Sequence, residues 1–132
     1  MSLFEDLNNF HEKYGVPRRT TVGLLNKSTQ QFRRNFLQEE LDEYVIAVAQ
    51  ENLEEQIDAL LDLVYIAVGT LDIMGVHGQA HWDEIQRANM SKIRANDASQ
   101  SKRGSSLDVI KPEGWKGPDH QKILGAYYDY DI

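Results

Sequence analysis

The chain has 132 residues, 41% of them hydrophobic, enough for one ordinary core and a single domain over 1–132. The 21 acidic residues against 14 basic ones leave a formal net charge of -7, which argues against a nucleic-acid-backbone binder, whose surface is usually basic. Cysteine is absent, so disulfides and thiolate metal sites are excluded. The start MSLFEDLNNF lacks the basic and apolar regions of a signal peptide. The longest apolar stretch is broken by Asp62 and Asp72 and does not read as a membrane span. A cytoplasmic protein with neither a nucleic-acid nor a membrane partner is the expectation.

Leu3, Phe4, Leu7 and Phe10 recur at helical spacing, and Gly15 and Pro17 end that first helix near residue 14. PRRTTVGLLNKS reads as a connector, after which Ser28 or Thr29 is expected to cap a long helix running to about Gln50. Its apolar positions Leu37, Leu41, Tyr44, Val45 and Val48 follow the 3.6-residue period. Asn52 marks a break, and a third helix is predicted from Leu53 to Met74. It is apolar nearly all round beyond Ile57, which places it centrally in a bundle. Gly75 and Gly78 end it, and a fourth helix is predicted from Gln79 to Arg94. From 95 to 117 the chain is rich in Ser, Asp, Lys and Gly and reads as a long, mobile loop. A short helix from Asp119 to Tyr127 and the YYDYDI tail follow. No strand pattern emerges, so the fold class is all-α: a bundle of four main helices plus a short C-terminal one.

Asp62 lies within ALLDLVYIAVG, where a buried, unpaired carboxylate costs on the order of several kcal/mol. On the long second helix, Glu40 falls within or beside the apolar arc, with Glu43 one turn on and Glu39 at the polar edge. Asp58 and Asp62 share a face of the third helix at i, i+4, and two antiparallel helices can aim both pairs at each other. Converging acids raise each other's pKa, and a hard divalent cation such as Mg²⁺ removes the conflict. The plainer alternative is that these acids pair with Lys or Arg or reach solvent. Few basic residues in either helix are placed to neutralise Asp62. A di-iron centre needs Glu-x-x-His, and no Glu here has a His at i+3. His77 and His81 have an HxxxH spacing but no evident third ligand.

The ordered set EELDE (39–43), DALLDLVYIAVG (58–69), EIQRANMSK (84–92) and KPEGW (111–115) resembles the MazG-like all-α nucleoside triphosphate pyrophosphohydrolases. It looks closest to the small bacterial and phage dUTP/dNTP pyrophosphatases, which are phosphoribosyl-ATP pyrophosphohydrolase-like. The resemblance implies an oligomeric helical bundle, homodimer or tetramer. It also implies Mg²⁺ as cofactor, with Mn²⁺ as a substitute, and cleavage of an NTP to NMP and pyrophosphate. It assigns metal binding to Glu40, Glu43 and Asp62, and placement of the attacking water to Glu39. The Glu expected three residues before Asp62 is Ala59, so Asp58 or Glu55 stands in. Asn89 and Lys92 match NMSK as phosphate-binding groups, with Lys111 and Trp115 closing from the loop. Phe4, Phe10, His11 and Trp115 are candidates for the base pocket, with core packing favoured for the two phenylalanines. Two further readings are an enzyme acting on phosphoribosyl-ATP and a helical dimerisation module that has lost its chemistry.

Overall fold

The computed structural model describes residues 2–127, which form two compact units, 2–78 and Gln79–Tyr127. In the first unit, α1 spans Leu3–Tyr14. Ser2 caps it by accepting the Glu5 amide at 3.1 Å, and Gly15, at φ 63°, ends it in the left-handed region that glycine enters without a Cβ penalty. The next helix, α2, spans Lys27–Ala49. Its cap is Asn26, not Ser28 or Thr29: the Asn26 carbonyl oxygen accepts the Thr29 amide at 2.8 Å. Thr29 is thus a donor within the first turn, because the carboxamide one residue before the helix takes the capping role.

A tight turn follows, in which Glu51 adopts φ 54° and Asn52 caps α3 (Leu53–Ile73) by accepting the Glu55 amide at 3.2 Å. The α2–α3 hairpin predicted by the break at Asn52 is therefore present, and α1 packs against α3. The connector 16–26 satisfies carbonyls at the end of α3, with Arg19 N donating to Ile73 O at 2.9 Å and Gly23 N to Met74 O at 3.2 Å. Gly75, at φ 76°, has no room for a side chain, since a Cβ there would lie 2.9 Å from Arg19 O.

Leu7, Ala47, Ala59, Ile66, Val68 and Ile73 form the buried apolar set of this unit. Two helical faces expected inside are not. Leu41, Val45 and Val48 on α2, and Ile57, Leu60, Leu61 and Val64 on α3, are exposed. One copy of the hairpin has too few neighbours to cover an α3 that is apolar on most sides beyond Ile57.

The second unit takes up all but the first residue of α4, which runs Gly78–Met90 and ends four residues before the predicted Arg94. The chain then enters a two-residue strand that the sequence did not announce. Here β1 (Ile93–Arg94) pairs antiparallel with β2 (Val109–Ile110), Ile93 opposite Ile110. Two residues are too short for a visible alternation, so the pairing is a long-range event with no local signature. The span 95–117 also carries a 3₁₀ turn at Ala98–Gln100, capped by Asp97. The loop is anchored as well: Trp115 Nε1 donates to Ala88 O at 2.9 Å, and Arg87 Nη2 donates to Gly117 O at 3.1 Å. The last helix, α5, spans His120–Tyr127; the rest of the YYDYDI tail lies outside the described residues. The fold is all-α in its mass, with five α-helices among the described residues.

Candidate metal centre

Glu40 and Glu43 lie one turn apart on α2, and Asp62 faces them from α3. One carboxylate oxygen from each lies within 4.8 Å of the others. Glu40 is 8% exposed, and its Oε2 has no hydrogen-bond partner among the described residues. Burial, then the neighbouring Glu43, Asp62 and Glu39, push its carboxyl up to about 7. Asp62 is also raised, by burial first and then by the charges of Asp58 and Glu43. No Lys or Arg forms an ion pair with any of the three among the described residues. Of the plainer alternative, pairing with a base is absent among the described residues, whereas Glu43 does reach solvent.

Asp58 is exposed and lies outside the three-residue group, although its charge helps to raise the Asp62 carboxyl. Ala59 is buried at 3% exposure, so a methyl group occupies the core where a glutamate would carry charge. Glu39 is exposed at the rim and Glu55 is exposed on the first turn of α3. Glu40, Glu43 and Asp62 form a hard-oxygen donor set suited to a divalent cation.

The expected substrate groups occupy the second unit. Lys92 lies just past the end of α4, not on it, and its amide donates to Asn89 O at 3.2 Å. The ammonium groups of Lys92 and Lys111 lie 5.3 and 5.1 Å from the centroid of the Trp115 ring. Those three residues are brought together; the Asn89 side chain is exposed and enters no such contact. Of the base-pocket candidates, Phe4 packs on Gly78, where an added Cβ would lie 2.2 Å from its ring. Phe10 stacks edge-on against Tyr65. Both contacts are within the first unit and fit the packing role. His81 stacks on His120, with Nδ1 atoms 2.8 Å apart, a contact that the HxxxH spacing did not suggest.

The sequence offered His11 as a base-pocket candidate but not its pairing with Asp72. His11, 3% exposed, meets Asp72 through Nδ1 and Oδ2 at 2.6 Å, and Asn8 Nδ2 donates to Asp72 Oδ1 at 3.2 Å. Of these three, His11 also lines a cleft of about 530 Å³, together with Phe10, Arg18, Arg33 and Phe32. The signal that would have found the pairing is the one that marked Asp62: an acid interrupting an apolar helix.

The fold is all-α, with an acidic cluster between two helices whose carboxylates could hold a divalent cation. The sequence profile of the phosphoribosyl-ATP pyrophosphohydrolase family matches residues 7–89, well over half of the chain. The protein belongs to that family, within the MazG-like all-α pyrophosphohydrolase superfamily, and is a hydrolase of phosphoanhydride bonds with a nucleotide substrate. A search of curated proteins finds no match. The matched segment contains every carboxylate of the cluster; Lys92, Lys111 and Trp115 lie beyond it. Family membership also weighs against a module without chemistry. No helix among the described residues is long and apolar enough to cross a membrane.

Proposed function

We propose that the protein is a Mg²⁺-dependent pyrophosphohydrolase that converts a (d)NTP and water to (d)NMP and pyrophosphate, in the service of nucleotide-pool sanitation. The carrying observation is the convergence of Glu40, Glu43 and Asp62, within 4.8 Å and without a neutralising base. The buried Oε2 of Glu40, with no hydrogen-bond partner among the described residues, fits a cation-binding role. These residues would hold Mg²⁺, with Mn²⁺ as a substitute, and Asp58 would support them through Asp62. Bound there, such a cation offsets phosphate charge and polarises a phosphoryl oxygen.

The chain's own residues do the rest. Glu39, exposed at the edge of the cluster, orients the attacking water and accepts its proton. The water oxygen bonds to the α-phosphorus, the α–β bridge breaks, and pyrophosphate leaves with the bonding electron pair. Asn89, Lys92, Lys111 and Trp115 bind the substrate, the lysines offsetting phosphate charge. A second reading, supported by the description of the matching family, is that phosphoribosyl-ATP is the substrate, cleaved at the same kind of bond.

We also propose that a second copy, as homodimer or tetramer, covers the exposed apolar faces of α2 and α3, and that the protein is cytoplasmic. Light scattering that gives the 15.1 kDa monomer at micromolar concentration would contradict the oligomer. The function is tested with a nucleotide panel that includes phosphoribosyl-ATP, assayed for pyrophosphate with and without Mg²⁺. Metal-dependent release from dNTPs supports the first reading, and release from phosphoribosyl-ATP alone supports the second. Release from neither removes both.

A further inference from the structure

The pairing of β1 with β2 has an electrostatic consequence. Ile93 lies opposite Ile110, so the residues flanking them, Lys92 and Lys111, are set across from each other. Like charges in that arrangement repel. Both ammoniums also share one aromatic ring, that of Trp115. A cation over an indole at an exposed site gains only about 0.5–1 kcal/mol. The hairpin therefore concentrates positive charge that its own contacts compensate weakly.

Beside this pair is a cavity of about 360 Å³ whose polar lining is Lys92, Gln100, Lys102, Arg103, Asp108 and Lys111. Its only carboxylate is already committed. Asp108 accepts from Ser101 Oγ at 2.7 Å and from Arg103 Nη1 at 2.8 Å. Ser101 first and Arg103 second hold that carboxyl below the usual range, so it stays charged against Arg103. Lys92, Lys102 and Lys111 form no ion pair with a described residue. Three cations thus line one cavity without a counter-charge, in a chain whose net charge is -7.

We infer that this cavity binds an oligophosphate chain, at least a diphosphate, with Lys102 as a phosphate-binding residue alongside Lys92 and Lys111. The inference rests on the proposed function for the roles of Lys92 and Lys111, and extends it to Lys102 and the hairpin cavity. A diphosphate matches the cavity better than a single tetrahedral anion does. It spreads three or more negative charges over a length that separate lysines can contact together. The hairpin then acts as a scaffold: strand pairing sets two lysines across from each other, and the turn after the 3₁₀ helix presents the third.

Isothermal titration with inorganic pyrophosphate, ADP and AMP tests this, in EDTA so that the carboxylate cluster cannot contribute through a metal. Pyrophosphate is expected to bind, ADP to bind less tightly and AMP least. Lys102→Ala should weaken pyrophosphate at least about fivefold, and Lys102→Ala with Lys111→Ala at least about fiftyfold. Lys102→Arg should restore most of the loss, and affinity should fall steeply with added salt. Unaltered binding in both lysine variants, or AMP binding as tightly as pyrophosphate, overturns the inference. Failure of the two proposals is separable. A chain that turns over dNTPs but ignores Lys102 loses only the cavity. A chain with no turnover but Lys102-dependent pyrophosphate binding keeps the cavity and loses the proposed function.

Discussion

Asp62 and Asp72 interrupt the same apolar helix and meet opposite company. Asp62 faces Glu40 and Glu43, with Asp58 beside it, and no base pairs with it among the described residues. Asp72 is received by His11 at 2.6 Å and Asn8 at 3.2 Å, with Arg18 Nη1 at 4.0 Å. A carboxylate in an apolar setting must be compensated, and the protein does so internally at one end of α3 only. The end left uncompensated is the one that calls for something from outside. Asp72 ties α1 to α3; Asp62 is the one we propose as a metal ligand.

That contrast can be broken by experiment, and the largest effect is expected at the cluster. Glu40→Gln or Asp62→Asn should reduce turnover at least about a hundredfold, near 2.7 kcal/mol of transition-state stabilisation, with circular dichroism unchanged. Asp72→Asn should do the reverse, because it leaves a buried imidazole without its charged partner. Urea unfolding should show a loss of about 1–3 kcal/mol, with the Mg²⁺ dependence of turnover retained. If Asp72→Asn alone removed turnover and Glu40→Gln did not, the roles assigned to the two ends would be exchanged.

A pH titration sharpens the same comparison. In the metal-free protein Glu40 holds its proton up to about 7, against an ordinary value of 4.5, which the unfolded chain follows. Between those values the native state binds more protons than the unfolded state, so stability falls as pH rises through the window. Thermal melts in EDTA should therefore give a lower midpoint at pH 8 than at pH 5. Glu40→Gln should flatten that slope, and Mg²⁺ should raise the midpoint most at the higher pH. A slope that persists in Glu40→Gln would place the titrating group elsewhere.

The smallest expected effect is at the rim. Asp58→Asn should raise the Mg²⁺ concentration for half-maximal activity about three- to tenfold, since Asp58 acts through Asp62, whereas Glu55→Gln should change it less than twofold. Equal shifts in the two variants would remove Asp58 from the site.

Much of this was legible in the sequence, for a local reason. Helix periodicity is written within a few turns, so α1, α2 and α3 emerged within a residue or two of their ends. The spacing of Glu40, Glu43 and Asp62 places three acids on facing helices once a hairpin is granted. The cap of α2 was misread because Asn26, Ser28 and Thr29 are all competent capping residues, and only the backbone decides which one stands outside the first turn. What tertiary structure alone decided is pairing over distance. His11 and Asp72 are 61 residues apart in sequence, and nothing near either names the other. Ile93 and Ile110 pair across a loop whose composition suggested no order, and that register sets Lys92 and Lys111 across from each other. The apolar faces of α2 and α3 carry the pattern of a core, yet Val45 and Leu61 are exposed in a single copy. Sequence determines which side chains seek burial; whether a neighbour arrives to bury them depends on how many surfaces the folded chain can bring within reach.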